Sequence, residues 1–230
     1  MDRAKEFIKL FNKLDKHLRK LIGTRRHQAF HVALHEASQV NATVRRYRDI
    51  LQSYSRLRNV IVHDENFLDK KIIAEPTPAT VKELHEIVNK VVIPQKVIPR
   101  FKREVKVWSS EEFLLRALLH MNNNDFSQIV VRVDNSYRLL TLEGFARWVE
   151  AEEGGDVVFF SEATLMDALV YDPENIFEIV GEDTTVDEVL DLFTTSLYRG
   201  IPRFCAVLIT ETDSTGKPLG MVTPWDLLNI

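Results

Sequence analysis

The sequence predicts an α + α/β protein: an all-helical N-terminal half, then a half built from two copies of a β-α-β-β-α unit. Three observations carry this. From Met1 to His63 apolar residues recur at helical spacing, and Gly23 is the only Gly or Pro in the stretch. Beyond Lys106 the pattern changes to short β-branched runs separated by helical stretches. The charge divides at the same place, with 23 Lys and Arg against 12 Asp and Glu up to Lys106 and 7 against 22 after it, a split of +11 and −15. Such a split predicts two modules, the basic one suited to a polyanion.

In chain order, Phe7, Leu10, Phe11, Leu14, Leu18 and Leu21 form one amphipathic stripe. Phe30, Ala33, Leu34, Ala37, Val40 and Val44 form a second, and Ile50, Leu57 and Ile61 a third. A break at Ala74-Glu75-Pro76-Thr77-Pro78 precedes a helix through Val81, Leu84, Val88 and Val91. Residues 1–93 are therefore expected as one helical domain and 94–106, punctuated by Pro94 and Pro99, as a basic linker.

Strands are expected at Val105–Trp108, Ile129–Val133, Tyr137–Leu140, Val157–Phe160, Ile176–Val180, Cys205–Ile209 and Leu219–Val222. The segment Ile129–Thr141, with its turn at Asp134-Asn135-Ser136, overlays Cys205–Thr223, with its turn at Asp213-Ser214-Thr215-Gly216. Each is followed by a helix and preceded by a strand and helix. Residues 107–230 thus read as a pair of repeats, the first at about 107–150 and the second at about 156–230, which pack together because neither buries enough surface alone.

With 230 residues, 45% hydrophobic and 28% charged, the chain is neither disordered nor a disulfide scaffold. Cys205 is the single cysteine, which fits a reducing compartment. No apolar run reaches the roughly 18 residues of a membrane helix, and Met1-Asp2-Arg3-Ala4-Lys5-Glu6 lacks a signal-peptide core. The expected location is the cytoplasm, with no membrane partner.

The stretch Gly220-Met221-Val222-Thr223-Pro224-Trp225-Asp226 presents Gly, two apolar residues, Thr, two residues, then Asp. With the repeat, it resembles the motif of a tandem pair of CBS (cystathionine-β-synthase) domains. The resemblance implies that Gly220, Thr223 and Asp226 form a ligand site, with Thr223 and Asp226 holding the ribose of an adenine nucleotide (AMP, ADP or ATP) as a regulatory ligand. A helix N-terminus beside the site suits a phosphate. Thr, Pro and an acid are also ordinary helix-starting residues, so capping alone and ligand binding both stay open. The first copy reads Arg138-Leu139-Leu140-Thr141-Leu142-Glu143-Gly144, with Gly144 where the acid belongs, and at most one well-formed site per pair is expected. Arg203, Lys217 and Arg138 are the cations available to attract an anion to the acidic half.

The helix closing the bundle reads Arg56-Leu57-Arg58-Asn59-Val60-Ile61-Val62-His63. Arg58, Asn59 and His63 resemble the motif of HEPN domains, all-helical dimeric modules; several are metal-independent endoribonucleases and others keep the fold without activity. At about 100° per residue, Ser55, Asn59 and His63 share a polar face near Arg58, opposite Tyr54, Leu57 and Ile61. The residue types suit RNA cleavage by the neighbouring 2′-hydroxyl, with His63 transferring protons and Arg58 clamping the phosphate. One His per subunit is thin for acid and base work, and the resemblance implies a site shared across a homodimer.

Other clusters carry less. His27, His31 and His35 flank the apolar stripe of one helix and read better as a partner-facing row than as metal ligands; no metal site is expected. Arg45, Arg46 and Arg48 around Tyr47 form a basic patch that suits phosphates and a stacked base, or a solvated face. Gly154-Gly155 reads as a turn. The expectation is a homodimeric regulator whose CBS pair senses an adenine nucleotide and modulates a HEPN-like domain that cleaves or binds RNA, with no required cofactor. The alternative is a non-catalytic nucleotide-sensing scaffold acting through protein partners.

Overall fold

The computed structural model describes residues 2–24, 28–62, 74–152, 162–201, 203–212 and 215–228. The chain divides into two compact units, Met1–Gln95 with Thr185–Asp191, and Lys96–Thr184 with Leu192–Ile230.

The first unit is helical, with α1 (Arg3–Leu21), α2 (Phe30–Val40), α3 (Ala42–Arg46), α4 (Arg48–Val62) and α5 (Pro78–Val92). Asp2 opens α1 by accepting the Lys5 N–H at 3.1 Å. Gly23 closes it at φ +65°, the left-handed geometry that lets the Thr24 N–H return to the Arg19 carbonyl. Ala4, Phe7, Phe11, Leu14 and Leu18 are buried, as their spacing demands. They meet Leu34, Ala37 and Val44, then Leu51, Tyr54 and Ile61 of α4, then Val81, Leu84, Ile87, Val88 and Val91 of α5. The rings of Phe11 and Phe30 lie 4.5 Å apart, and Tyr54 donates to Glu83 at 2.6 Å, tying α4 to α5. Thr77 caps α5 with Pro78 in its first turn. The second stripe departs from expectation at Val40, which is 69% exposed. The helix stops there because Asn41 turns extended and uses its side chain to accept the Val44 N–H, starting α3.

The second unit holds two three-stranded sheets. One contains β1 (Val107–Ser109), β2 (Gln128–Val133) and β3 (Ser136–Thr141), the other β4 (Phe177–Gly181), β5 (Ala206–Thr210) and β6 (Pro218–Val222). In each, the first strand pairs parallel with the second and the second antiparallel with the third, so Trp108 faces Val131 as Ile179 faces Leu208. The parallel pairs need crossovers, supplied by α7 (Leu114–Asn123) and α10 (Val186–Tyr198). The two-residue turn Asp134-Asn135, with Asp134 at φ +50°, closes the β2–β3 hairpin. The expected strand at Val157–Phe160 lies outside the described residues, as do Gly154-Gly155, His27, His63 and, in the expected turn, Asp213 and Ser214.

Val130, Tyr137 and Leu139 of the first sheet pack with Ala206 and Leu208 of the second, and with Ile176. The repeats thereby share a core. A further helix, α8 (Leu142–Glu152), follows β3, and Trp148 on it is buried beside Trp108 and Leu140. Short helix α9 (Leu165–Leu169) falls in the stretch expected to open the second repeat. It packs instead with the first, burying Leu165, Ala168 and Leu169 against Trp108, Leu114 and Trp148, while the Leu114 N–H bonds the Ala163 carbonyl at 2.8 Å.

The stretch expected as a linker, 94–106, is structured from Lys96 onward as part of the second unit. Val97 in the short helix α6 (Val97–Arg100) is fully buried, and its N–H reaches the Thr184 carbonyl at 2.9 Å. Lys102 bridges antiparallel to Gly220, and the Arg103 N–H bonds the Leu219 carbonyl at 3.1 Å. The segment thus covers the edge of β6. A Cβ on Gly220 would stand 2.1 Å from the Phe101 carbonyl oxygen, so glycine is what allows this approach. Gly220→Ala is expected to destabilise the fold by about 1–3 kcal/mol through overpacking, read as a lower denaturation midpoint with unchanged slope.

Candidate functional site

Two clefts of the second unit are built around equivalent threonines. Thr223 follows β6 and opens the turn Pro224–Leu227; its N–H and hydroxyl both donate to Asp226 Oδ2, at 2.7 and 2.8 Å. Arg103 also holds the carboxylate, through Nη2 at 2.8 Å and Nη1 at 3.4 Å, and donates to the Met221 carbonyl. Burial pushes the Asp226 carboxyl up, but Thr223 and the Arg103 guanidinium outweigh it and hold the group below its ordinary range. Pro224–Leu227 is a single 3₁₀ turn where a helix was expected, so it offers no aligned stack of peptide dipoles for a phosphate.

The cavity beside Thr223 has a volume of about 290 Å³ and is lined by Arg103, Lys106, Trp108, His120 and Phe126 among others. The Lys106 ammonium lies 3.7 Å from the Trp108 ring centroid, His120 touches Trp108 and Phe126, and Phe126 is half-exposed. The buried Trp108 Nε1 has no hydrogen-bond partner among the described residues. The cations here are Arg103 and Lys106. Sequence reasoning missed both because the run Lys102-Arg103-Glu104-Val105-Lys106 read as linker; its clustered charge was the available signal.

The second cleft, about 460 Å³, is lined by Thr141, Glu143, Arg147, Asp172 and Arg203, with Ile176 and Ile201. Thr141 ends β3 as Thr223 follows β6. Its N–H donates to Asp172 Oδ2 at 2.7 Å and its hydroxyl to Oδ1 at 2.8 Å, while the Gly144 N–H bonds the Thr141 hydroxyl at 3.0 Å. Burial pushes the Asp172 carboxyl up, and the Thr141 donors, Arg147 and Arg138 only partly offset this. Arg147 and Arg203 both pair with Glu143. Arg138, one of the expected cations, donates to the main-chain carbonyls of Leu169 and Asp172.

In the helical unit, Arg58 and Asn59 lie on α4 with Arg58 Nη1 3.4 Å from Asn59 Oδ1. Together with Asp15, Arg19, His31 and Ser55 they line a polar cavity of about 350 Å³. The third residue of the motif, His63, lies outside the described residues. Two of the three arginines of the basic patch are engaged, and so is Tyr47. Arg45 pairs with Asp191 at 2.5 Å and Arg46 with Asp187 at 2.7 Å, while Lys90 donates to the Tyr47 hydroxyl at 3.1 Å.

Residues 174–230 match the model of the CBS domain family. The second repeat is a CBS domain. Its matched span starts just before β4, so the helix α9 precedes it. Solved structures similar to the chain include a CBS domain-containing protein of unknown function from Kribbella flavida, 15% identical over 56% of this chain and 93% of that one, TM-score 0.41. OpuCA of Staphylococcus aureus is 16% identical over 56% of this chain and 92% of its own, TM-score 0.38. A Methanocaldococcus jannaschii protein proposed as an archaeal homologue of g-AMPK is 15% identical over 70% of this chain and 55% of its own, TM-score 0.46. No curated protein matches the chain. Among the described residues, no helix is long and apolar enough to cross a membrane.

The two threonine-bound carboxylates respond oppositely to acid. Asp226, with its folded pKa depressed, contributes stability above the ordinary carboxylate range that is lost as pH falls through its folded value. Asp172, with its folded pKa raised, favours the fold most when protonated, and that contribution is lost as pH rises through its folded value. Denaturation of the native chain and of Asp226→Asn and Asp172→Asn between about pH 3 and 6 checks this. On acidification the native chain is expected to lose stability relative to the first variant and gain relative to the second.

Proposed function

We propose that the chain is a homodimeric cytoplasmic regulator that binds an adenine nucleotide, AMP, ADP or ATP, in the cleft at Thr223, and that its first unit is a HEPN-like module acting on RNA. The observation that carries the nucleotide reading is the convergence at Thr223 of two cations, Arg103 and Lys106, with the rings of His120 and Phe126. A purine seats on the rings, and the ammonium and guanidinium take the phosphates.

Asp226 accepts from the ribose hydroxyls once Arg103 turns from it to the phosphate. That exchange is cheap, because the Arg103 side chain is 44% exposed and such ion pairs contribute about 0–1 kcal/mol. Arg103 also lines the cavity, which at about 290 Å³ lies at the small end for organic ligands. Thr223 positions the carboxylate, and Gly220 serves indirectly by letting the Arg103 segment lie against β6. Calorimetric titration with AMP, ADP and ATP checks the reading. Asp226→Ala is expected to weaken binding about 10-fold or more, the loss of a charge-assisted hydrogen bond, and absence of binding by the native chain at millimolar nucleotide overturns it.

For the helical unit, Arg58 and Asn59 on the wall of a polar cavity support a phosphodiester site. Arg58 stabilises charge on the transferring phosphate, Asn59 orients the donors, and His63 moves the proton of the 2′-hydroxyl or the leaving oxygen. Metal-free incubation with single-stranded RNA is expected to give cleavage that Arg58→Ala and His63→Ala each abolish. Equal cleavage by all three chains, or none by any with and without nucleotide, removes the enzymatic reading. The second reading, a non-catalytic scaffold signalling through protein partners, is favoured by the engagement of Arg45 and Arg46 with Asp191 and Asp187, which takes them out of an RNA-tracking patch.

A further inference from the structure

The first repeat lacks the acid of its motif, since Gly144 stands three residues after Thr141 where Asp226 stands three after Thr223. The carboxylate is nevertheless present. Asp172 arrives from 31 positions along the chain and takes the Thr141 N–H at 2.7 Å and its hydroxyl at 2.8 Å, the same pair of donors, at the same lengths, that Thr223 gives Asp226. A Cβ built on Gly144 would lie 2.1 Å from Asp172 Oδ2 and 2.3 Å from its Cγ. Asp172 therefore fills the volume that a side chain at position 144 would occupy. We propose that Asp172 is the ribose-binding acid of a second ligand site, and that the cleft at Thr141 takes a ribonucleotide.

This rests on the nucleotide reading of the Thr223 cleft and extends it to a repeat whose own motif is broken. An ionised carboxylate offers about four acceptor positions. Thr141 uses two of those on Asp172, and among the described residues no cation bonds its carboxylate oxygens, whereas Arg103 clamps Asp226. Asp172 also lines its cleft directly, so a vicinal diol can donate to it without displacing an ion pair. At the rim, Arg147 and Arg203 share the single carboxylate of Glu143, so with Asp172 counted the cleft is balanced, and they offer guanidinium donors for a phosphate. Ile176 and Ile201 give the base an apolar wall.

Titration of the full chain with ATP, and with 2′,3′-dideoxy-ATP as the probe lacking the diol, tests the proposal. The native chain is expected to bind two ATP per chain. Asp172→Asn, which keeps the side-chain shape, and the exposed-site variant Arg203→Ala should each remove one, while Asp226→Ala removes the other, and the dideoxy probe should lose affinity about 10-fold or more at the Thr141 cleft in Asp226→Ala. One site per chain that Asp226→Ala abolishes overturns the proposal and leaves the Thr223 reading intact, as do two sites indifferent to Asp172→Asn and Arg203→Ala. One site that survives Asp226→Ala and is lost in Asp172→Asn supports the proposal and overturns the Thr223 reading. No binding by the native chain overturns both. If Asp172→Asn fails to fold, Arg203→Ala decides by the same count.

Discussion

A threonine at or just after the end of the last strand of each repeat turns its N–H and hydroxyl toward one point, and a carboxylate is there to receive them. An unpaired buried donor costs about 1–3 kcal/mol, and Thr141 is only 8% exposed. After β6 the demand is met locally, by Asp226 three residues on. After β3 it is met from a distance, by Asp172. That long-range tie organises much of the second unit. It anchors the turn between α9 and β4 to the end of β3, and the main-chain carbonyls of Leu169 and Asp172 receive Arg138 in the same place. The chain therefore finishes the first repeat with α9 before it begins the sheet of the second. The same cap is used at Thr164 with Asp167 and at Thr185 with Glu188, and of these four threonines Thr141 is the one whose acid comes from outside the turn.

What was legible in the sequence is what short-range physics writes there. Helical spacing placed the stripes of α1, α4 and α5, and short β-branched runs placed the strands that the described residues form, because both signals are local. The repeat was legible because it restates one local pattern twice. Thr223 and Asp226 were legible because they stand three positions apart. Arg103 and Asp172 were not, since each reaches its partner through tertiary packing that no spacing encodes. Two glycines carried the missing information. Gly144 sits inside α8, where glycine costs about 1 kcal/mol relative to alanine, and Gly220 inside a strand. Both positions are explained by another chain segment standing where a Cβ would go.

The charge split of the sequence resolves into particular pairs. Arg45 and Arg46 each hold an aspartate of Thr185–Asp191 within the helical unit, so positive charge counted along the chain overstates what faces solvent there. In the second unit the acidic excess does not repel an anion uniformly. Arg103 and Lys106 stand beside Glu104 and Asp125 at one cleft and Arg147 and Arg203 beside Glu143 and Asp172 at the other, so each lining is balanced, and over a few ångströms its placed guanidinium and ammonium donors count for more than a distributed net charge that salt screens beyond about 10 Å.

The two clefts are nonetheless unequal in how their carboxylates are held, and the difference follows from solvent. Asp226 and Arg103 are partly exposed, so their attraction is weak enough to be exchanged, yet it suffices to keep the acid ionised. Asp172 is 5% exposed and is met by threonine donors rather than by a guanidinium, so burial raises its pKa. A buried carboxylate with unused acceptor positions gains from any hydroxyl brought to it, since a donor replaces hydration already lost on folding. An exposed one gains less, because each new bond replaces water or arginine. The repeat with the broken motif therefore presents the carboxylate with more to gain from a diol, and the repeat with the intact motif presents the one that must first release its arginine.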